Sequence, residues 1–444
     1  MIFNLLLQAA AGSGTAFLIT SNGAVSYEQI KAEACSIAVN LRNATPGRIA
    51  VSLSDSRQLI SAFFGASAAG REMAVISSSY SITERDEAVV AAGANSVIDD
   101  TNFTALLGRA RERAAELIPE EDTAQIIILT SGTTGAPKAV VHNWRDLASQ
   151  IKRMPAAERR WILLYPLNHF AGIQVFLHAL MHREPIVLPK SRSPIDVFSA
   201  MKQFAVTHAS GTPTFWRMFL AQIADTDCKD LALAHITLGG EIASEEILTG
   251  LTRAFPRATI SHVYATTELG SCFSVNDGKP GFPLHLLDAP SRPVKLKIIG
   301  DELYVHSPYK MLGYAGSEDA NCTDEWVATG DLVRVVNDRV HFLGRKSEVI
   351  NVGGAKVHPL EVETILLQVQ GVEAVRAYGQ NNPVTGALVA ADVALKHGFQ
   401  ADRVRQQIQE ICSERLDRHK RPRLIRFLDQ LPVANEKLVR RVEP

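Results

Sequence analysis

In Gln125-Ile126-Ile127-Ile128-Leu129-Thr130-Ser131-Gly132-Thr133-Thr134-Gly135-Ala136-Pro137-Lys138 an apolar, β-like run enters a loop of hydroxyls, glycines and one cation. Gly132 and Gly135 permit a tight backbone path, along which successive N–H groups can form a nest for an anion. The hydroxyls of Thr130, Ser131, Thr133 and Thr134 add donors and Lys138 adds positive charge, a combination suited to a polyphosphate. The spacing Gly-x4-Gly-Lys-Ser/Thr is absent, so this is not a Walker loop. A plain Gly- and Thr-rich turn is the bland alternative.

Outward from this stretch, the pattern alternates. Apolar residues at helical spacing over 27–41 (Ile30, Ala34, Ile37, Leu41) precede a β-like run at 49–54, a helix at 57–69, and a strand at 73–77. A strand at 96–98 and a helix near 103–117 lead to Gln125–Thr130. Beyond the loop come strands at 161–165, 185–188 and 236–238, with helices near 173–182 and 195–204. Strands alternating with helices indicate βαβ units and parallel sheet, hence an α/β protein. Further on, 294–299 and Glu302–His306 flank Gly300-Asp301, and 332–336 and 340–343 flank Asn337-Asp338, two hairpin signals. The last hundred residues mix short strands with helices at 359–368 and Ala401–Arg415, and no internal repeat or low-complexity segment is present.

The 444 residues predict two or three domains. Hydrophobic residues at 46% and charged residues at 21% are ordinary globular values. A formal charge of −1 offers no global field for nucleic acid or an anionic membrane, so anionic ligands must be held by local groups. Cys35, Cys228, Cys272, Cys322 and Cys412 show no Cys-x-x-Cys spacing, which fits a reducing, cytoplasmic setting. The apolar opening lacks a basic n-region, since the first lysine is Lys31, and is read as folded protein. No apolar run approaches the ~20 residues of a membrane span.

Four more segments join the phosphate-like loop in a fixed order. Tyr264-Ala265-Thr266-Thr267-Glu268, Trp326-Val327-Ala328-Thr329-Gly330-Asp331, Gly344-Arg345 through Gly353-Gly354 to Glu363, and Pro432 through Lys437 to Arg441 follow it along the chain. Together they resemble the adenylate-forming superfamily of acyl-CoA synthetases, luciferases and peptide-synthetase adenylation domains. The resemblance implies a large multi-layer α/β domain at 1–343, a small α+β lid at 344–444, a hinge near 344–347, and an active site between them. It also implies two half-reactions: a carboxylate and Mg·ATP give acyl-AMP and pyrophosphate, then the lid rotates and a phosphopantetheine thiol, of CoA or an acyl-carrier protein, displaces AMP.

The same resemblance implies roles for residues whose chemistry suits them. Thr130 to Gly135 and Lys138 would cradle the phosphates. Tyr264 offers adenine a flat face, with Gly240, Glu241, Ala265 and Thr266 beside it, although a tyrosine at a strand end is often only core. Thr267 can hydrogen-bond the α-phosphate, and Glu268 is the hard oxygen ligand that Mg²⁺ prefers; otherwise Thr-Glu is merely a helix start. Asp331 would accept from both ribose hydroxyls, and Arg345 offers a planar fork. Gly353, Gly354 and Lys356 would face the pantetheine arm, the alternative being a strand turn. Lys437 would steady charge as the carboxylate attacks phosphorus. His169, in Pro166-Leu167-Asn168-His169-Phe170-Ala171-Gly172, would gate the acyl pocket. His178 and His182, four apart without a third ligand, are read as structural.

Departures from the family pattern are visible. Ser347 stands where an acidic or lysine hinge residue is usual, the terminal loop is one residue short with Glu436 where Gly is common, and the N-terminal domain looks trimmed. Two rivals follow: a free-standing amino-acid adenylation enzyme and a nucleotide-binding homologue without catalysis. Residues 163–179 hold no Asp or Glu to meet a substrate ammonium, which weighs against the first. Lys138, Thr267, Glu268, Asp331 and Lys437 together weigh against the second. Small residues at Ser210-Gly211-Thr212, Gly239-Gly240 and Gly270-Ser271-Cys272 suit either a slot for an aryl or medium-chain acid or backbone packing. Lys420, Arg421, Arg423 and Arg426 suit CoA phosphates, an acidic carrier, or a solvated face.

Overall fold

The computed structural model describes residues 1–12, 15–107, 124–130, 137–155, 157–289, 293–316, 325–429, 431, 433–434 and 437–438. It divides into two compact units: residues 1–240, 246–278 and 307–325 form the first, and 241–245, 279–306 and 326–444 the second.

Two sheets organise the first unit. In one, the parallel strands Ile49–Ser52, Met73–Val75, Ser96–Asp99 and Gln125–Thr130 are continued by antiparallel Lys138–Asn143 and Gly313–Tyr314. In the other, Ala16–Thr20, Ile186–Val187, Trp161–Leu163, His208–Gly211, His235–Gly239 and Thr259–Thr266 run parallel, with Gly23–Ser26 and Gly270–Val275 antiparallel at the edges. The strands Ile49–Ser52 and Met73–Val75 are buried at every position and read as near-continuous apolar runs, as enclosed parallel strands do. The Tyr27–Asn43 helix begins in a Ser26/Gln29 capping box, and Asp55 caps Ser56–Ala68. Their aromatic core stacks Phe17 on Tyr27 at 4.4 Å and sets Phe63 edge-on to Phe176 at 5.6 Å.

The second unit carries an antiparallel sheet in the order Phe282–Pro283, Arg339–Arg345, Val327–Val336, Glu302–His306, Lys295–Ile299. Both hairpin signals are realised there: Ile299 pairs with Glu302 and Val336 with Arg339, while Gly300 and Asn337 take the left-handed turn conformation. A further sheet holds Ala355–Val357, Ile350–Val352, Gly386–Leu395 and Val372–Asn382, with Leu424–Leu428 parallel to Gly386–Leu395. The Pro359–Leu366 and Ala401–Arg415 helices pack on it around Val362, Leu366, Val404 and Ile408, a core whose buried members all fall between 350 and 425.

Candidate active site

Thr130 and Lys138 are register partners at the ends of the antiparallel Gln125–Thr130 and Lys138–Asn143 strands. Ser131, Gly132, Thr133, Thr134 and Gly135 lie outside the described residues. The exposed Lys138 holds its ammonium 5.5 Å from the centroid of the Tyr314 ring. Tyr264 lies half-buried near the end of Thr259–Thr266, stacked on its cross-strand partner Phe273 at 5.2 Å and 18°. A bulge between Tyr264 and Ala265 re-aims the strand as it enters Thr266-Thr267-Glu268.

Thr267 and Glu268 form the turn of that hairpin, not a helix start, because Gly270–Val275 pairs straight back onto Thr259–Thr266. The turn is tightly held. Leu269 N–H donates to Thr266 Oγ1 at 3.1 Å, Met311 N–H to the Glu268 carbonyl at 2.7 Å, and Ser307 Oγ to the Leu269 carbonyl at 2.7 Å. His142 Nε2 lies 2.6 Å from the Thr267 carbonyl oxygen. Sequence reasoning passed over His142, which belongs to no motif and follows the apolar Ala139-Val140-Val141.

His169 precedes the Phe170–His182 helix as its N-cap residue, without a side-chain cap bond. Its N–H donates to the Pro166 carbonyl at 3.1 Å, and a Cβ at Gly172 would collide with that same carbonyl oxygen. Gly172 therefore sets how closely the helix follows the Pro166–His169 bend. The small residues behind it mostly serve packing. Thr212 caps Pro213–Gln222, a Cβ at Gly211 would press on Phe215, Trp216 and Leu164, and one at Gly270 would meet Gln150. The Tyr165 hydroxyl donates to the Gly239 carbonyl at 2.9 Å, and Gly240 turns away from that strand with φ +83°. Glu241 follows, half-buried, at the start of the second unit.

Within the second unit, Asp331 and Arg345 are cross-strand partners, with Arg345 Nε 3.0 Å from Asp331 Oδ1. The Asp331 side chain is 12% exposed and that of Arg345 49%, so the carboxylate is fixed while the guanidinium reaches solvent. Thr329 Oγ1 accepts the Asp331 N–H at 3.1 Å, and the Thr329 carbonyl takes Arg345 NH1 at 2.9 Å. Buried Glu302, which sequence reasoning treated only as a strand residue, accepts the Gly330 N–H at 3.0 Å and pairs with Lys346 at 2.9 Å. That hydrogen bond and ion pair hold the Lys346 pKa above its ordinary value.

Gly353 and Gly354, at φ +58° and +90°, make the turn between Ile350–Val352 and Ala355–Val357, and Lys356 is exposed beside it. Thr385 carbonyl and Asn351 Oδ1 accept their N–H groups, each at 2.9 Å. Lys437 pairs through its backbone with Ala434 in a two-stranded ribbon. Of the four basic residues, Lys420 is paired with Glu361, Arg421 donates to the Leu416 and Ser413 carbonyls, and Arg426 binds Asp392 and Tyr378. Arg423 instead joins Arg418 and His419 along a cleft of about 360 Å³ that also includes Val352 and Thr385.

The family model of AMP-binding enzymes matches residues 7–315, and that of the AMP-binding enzyme C-terminal domain matches 361–436. The chain belongs to the AMP-binding enzyme family. The chain is 29% identical over 339 residues to 2-succinylbenzoate–CoA ligase of Geobacillus kaustophilus (strain HTA426), covering 71% of this chain and 68% of that protein. The corresponding Bacillus subtilis (strain 168) ligase is 27% identical over 355 residues, 74% and 71% of the two chains. Among solved structures, o-succinylbenzoate CoA synthetase from Bacillus subtilis with its acyl-adenylate intermediate superposes with TM-score 0.79 at 23% identity over 98% and 97% of the chains. An anthranilate CoA ligase with anthranoyl-AMP does so with TM-score 0.81 at 19% identity over 98% and 95%. The large α/β domain with a small C-terminal domain is the fold these AMP-binding enzymes share.

This AMP-binding enzyme is an ATP-dependent acid–thiol ligase that works through an acyl-adenylate, with ATP, Mg²⁺ and a thiol co-substrate, CoA or phosphopantetheine. Its residues fit that chemistry. No group of three or more His, Cys, Asp or Glu among the described residues suits a resident metal, whereas Mg²⁺ carried by ATP needs only one or two protein carboxylates besides phosphate and water. Glu268 is a half-buried carboxylate on a turn whose carbonyls are held.

Proposed function

We propose that the acid is an aromatic carboxylate of the 2-succinylbenzoate kind and that CoA, rather than a carrier protein, takes the acyl group. The ligases it resembles carry the first half of this reading, since each covers most of both chains and bears that substrate in its name. The absence of Asp and Glu from 163–179 supports it against an α-amino acid. For the acceptor, the cleft lined by Arg418, His419 and Arg423 adjoins the Gly353-Gly354 turn through Val352 and Thr385. Positive charge there suits the phosphates at the far end of a pantetheine arm.

In this reading Tyr264 stacks on adenine, with Gly240, Glu241, Ala265 and Thr266 alongside, and Asp331 takes the ribose hydroxyls while Arg345 reaches a phosphate. Thr130 to Gly135 and Lys138 bind the triphosphate, Thr267 the α-phosphate, and Glu268 the accompanying Mg²⁺. Lys437 steadies the charge that develops as the carboxylate attacks phosphorus, an electrostatic contribution present mainly in the transition state. His169 guards the acyl side, and Lys356 with the two glycines lines the thiol path. Residues 344–444 act as the lid, a reading supported by the separate core between 350 and 425. No helix among the described residues is long and apolar enough to cross a membrane, and a cytoplasmic setting suits an enzyme drawing on ATP and CoA.

Pyrophosphate release across 2-succinylbenzoate, benzoate, anthranilate, malonate, octanoate and amino acids tests the acid, with thioester formation scored on CoA and on a carrier protein. An aromatic acid is expected to give the highest kcat/KM, and CoA to be acylated. Preferential activation of malonate, octanoate or an amino acid would overturn the substrate assignment, and acylation of the carrier alone would overturn the acceptor.

A further inference from the structure

We infer that His142 is a positioning residue for adenylation: its imidazole fixes the Thr267-Glu268 turn to the strand that leaves the phosphate loop. This rests on the roles proposed above for Thr267 and Glu268. His142 sits on Lys138–Asn143, four residues beyond Lys138, and is 1% exposed. Its Nε2 lies 2.6 Å from the Thr267 carbonyl oxygen, which has no proton to give, so Nε2 carries the hydrogen and donates. That assigns the tautomer and leaves Nδ1 as a lone pair, buried and without a hydrogen-bond partner. A buried acceptor left unsatisfied destabilises the fold, and a purely packing role would be better filled by an apolar ring. The donor is what the imidazole adds.

Three consecutive turn carbonyls are thereby clamped. Thr267 is held by His142, Glu268 by Met311 N–H and Leu269 by Ser307 Oγ. The last two anchors come from the segment whose Leu312 N–H donates to the Val141 carbonyl, next to His142. The imidazole also lies beside Phe170, ring centroids 6.3 Å apart, immediately after His169. One side chain thus touches the strand of Lys138, the Thr267-Glu268 turn and the start of the acyl-side helix. Burial lowers its pKa, offset only in part by the hydrogen bond to the Thr267 carbonyl and the charges of Asp146 and Glu268.

The test is ATP–pyrophosphate exchange with 2-succinylbenzoate, or with the panel acid giving the fastest wild-type exchange, in His142→Leu, His142→Gln and His142→Asn. Leu removes the donor, Gln places an amide nitrogen where Nε2 stands, and Asn falls one methylene short. Misplacing a catalytic turn by an ångström costs about 100-fold, so kcat is expected to fall roughly 10- to 100-fold in Leu and Asn with KM for ATP within about threefold, and Gln to recover most of it. If Leu does not fold, the Gln and Asn pair decides. Equal impairment of Gln and Asn, or kcat within about twofold of wild type in every variant that folds, overturns the inference. Thr267→Val and Glu268→Gln run in parallel: wild-type exchange in both would refute the turn's own role, and the positioning role with it. Loss in both with His142 variants unaffected would refute the positioning role alone.

Discussion

Acidification should unfold this enzyme through a row of histidine rings that the reaction does not use. His182, His178, Trp161, His208 and His235 lie in a row, with neighbouring centroids 6.1, 5.4, 4.9 and 5.9 Å apart. The His182 ring is committed at both nitrogens, to the His178 carbonyl at 2.8 Å and the Met154 N–H at 3.0 Å, while His178 Nδ1 is buried without a partner. Burial, reinforced by the other histidines, pushes the His178 pKa from 6.5 down to about 4. Burial with His235 and Arg159 does the same to His208. Between those values the unfolded chain binds protons that the folded chain refuses, so the stability is fully present above pH 6.5 and lost as pH falls toward 4. At ~1.4 kcal/mol per unit, His178 alone removes about 3 kcal/mol, and the more solvated His208 a fraction of that. Against a typical stability of about 5–15 kcal/mol this is a large loss. Urea unfolding followed from about pH 7 to about pH 4.5 measures it in wild type and in His178→Phe, which keeps a ring in the row, removes the orphan nitrogen and cannot titrate. The variant should lose clearly less stability across the window. Parallel pH profiles for the two proteins would refute the assignment, because carboxylates elsewhere would then account for the whole slope.

Gly172→Ala should lower adenylation at least tenfold and cost roughly 1–3 kcal/mol of stability, since its Cβ meets the Pro166 carbonyl that orders His169; wild-type exchange rates would show that the bend tolerates displacement. Lys437→Ala should sharply slow single-turnover acyl-AMP formation while ATP binding, read by calorimetry, stays nearly intact; equal losses in binding and turnover would make the lysine a ground-state ligand instead.

The parallel core was legible because period and composition agreed. Apolar runs bounded by turn residues gave the strands, and helical spacing over 27–41 and 57–69 matched the Tyr27–Asn43 and Ser56–Ala68 helices within a few residues. Elements lacking that contrast escaped. Ile2–Ala10 has only Asn4 and Gln8 as polar positions and no side-chain N-cap bond, so its apolar residues announced burial without announcing a helix. The long hairpin of Val372–Asn382 and Gly386–Leu395 is interrupted by alanines and a buried charge, Asp392, whose compensation by Arg376 and Arg426 exists only once the sheet forms.

The same distinction governs the site. Residue types named the chemistry, but their pairing decided which of them remain available for it. Arg426, Lys420 and Arg421 looked equivalent to Arg423, yet each of the first three is engaged by a carboxylate or a carbonyl of the second unit. Arg423 could not be singled out from Arg-Pro-Arg alone; its backbone bond to Val389 and its neighbours Arg418 and His419 mark it. Glu302 and His142 are the converse case. Neither belongs to a motif, because neither needs to touch a nucleotide: Glu302 holds Gly330 beside Asp331, and His142 holds Thr267 beside Glu268. A motif records the groups that must meet the ligand, whereas the groups that hold those in place are chosen by distances across the fold, here 28 residues of sequence for Glu302 and 125 for His142. Such partners become visible as buried polar side chains aimed at a backbone group of a motif, and that placement, rather than residue type, distinguishes both.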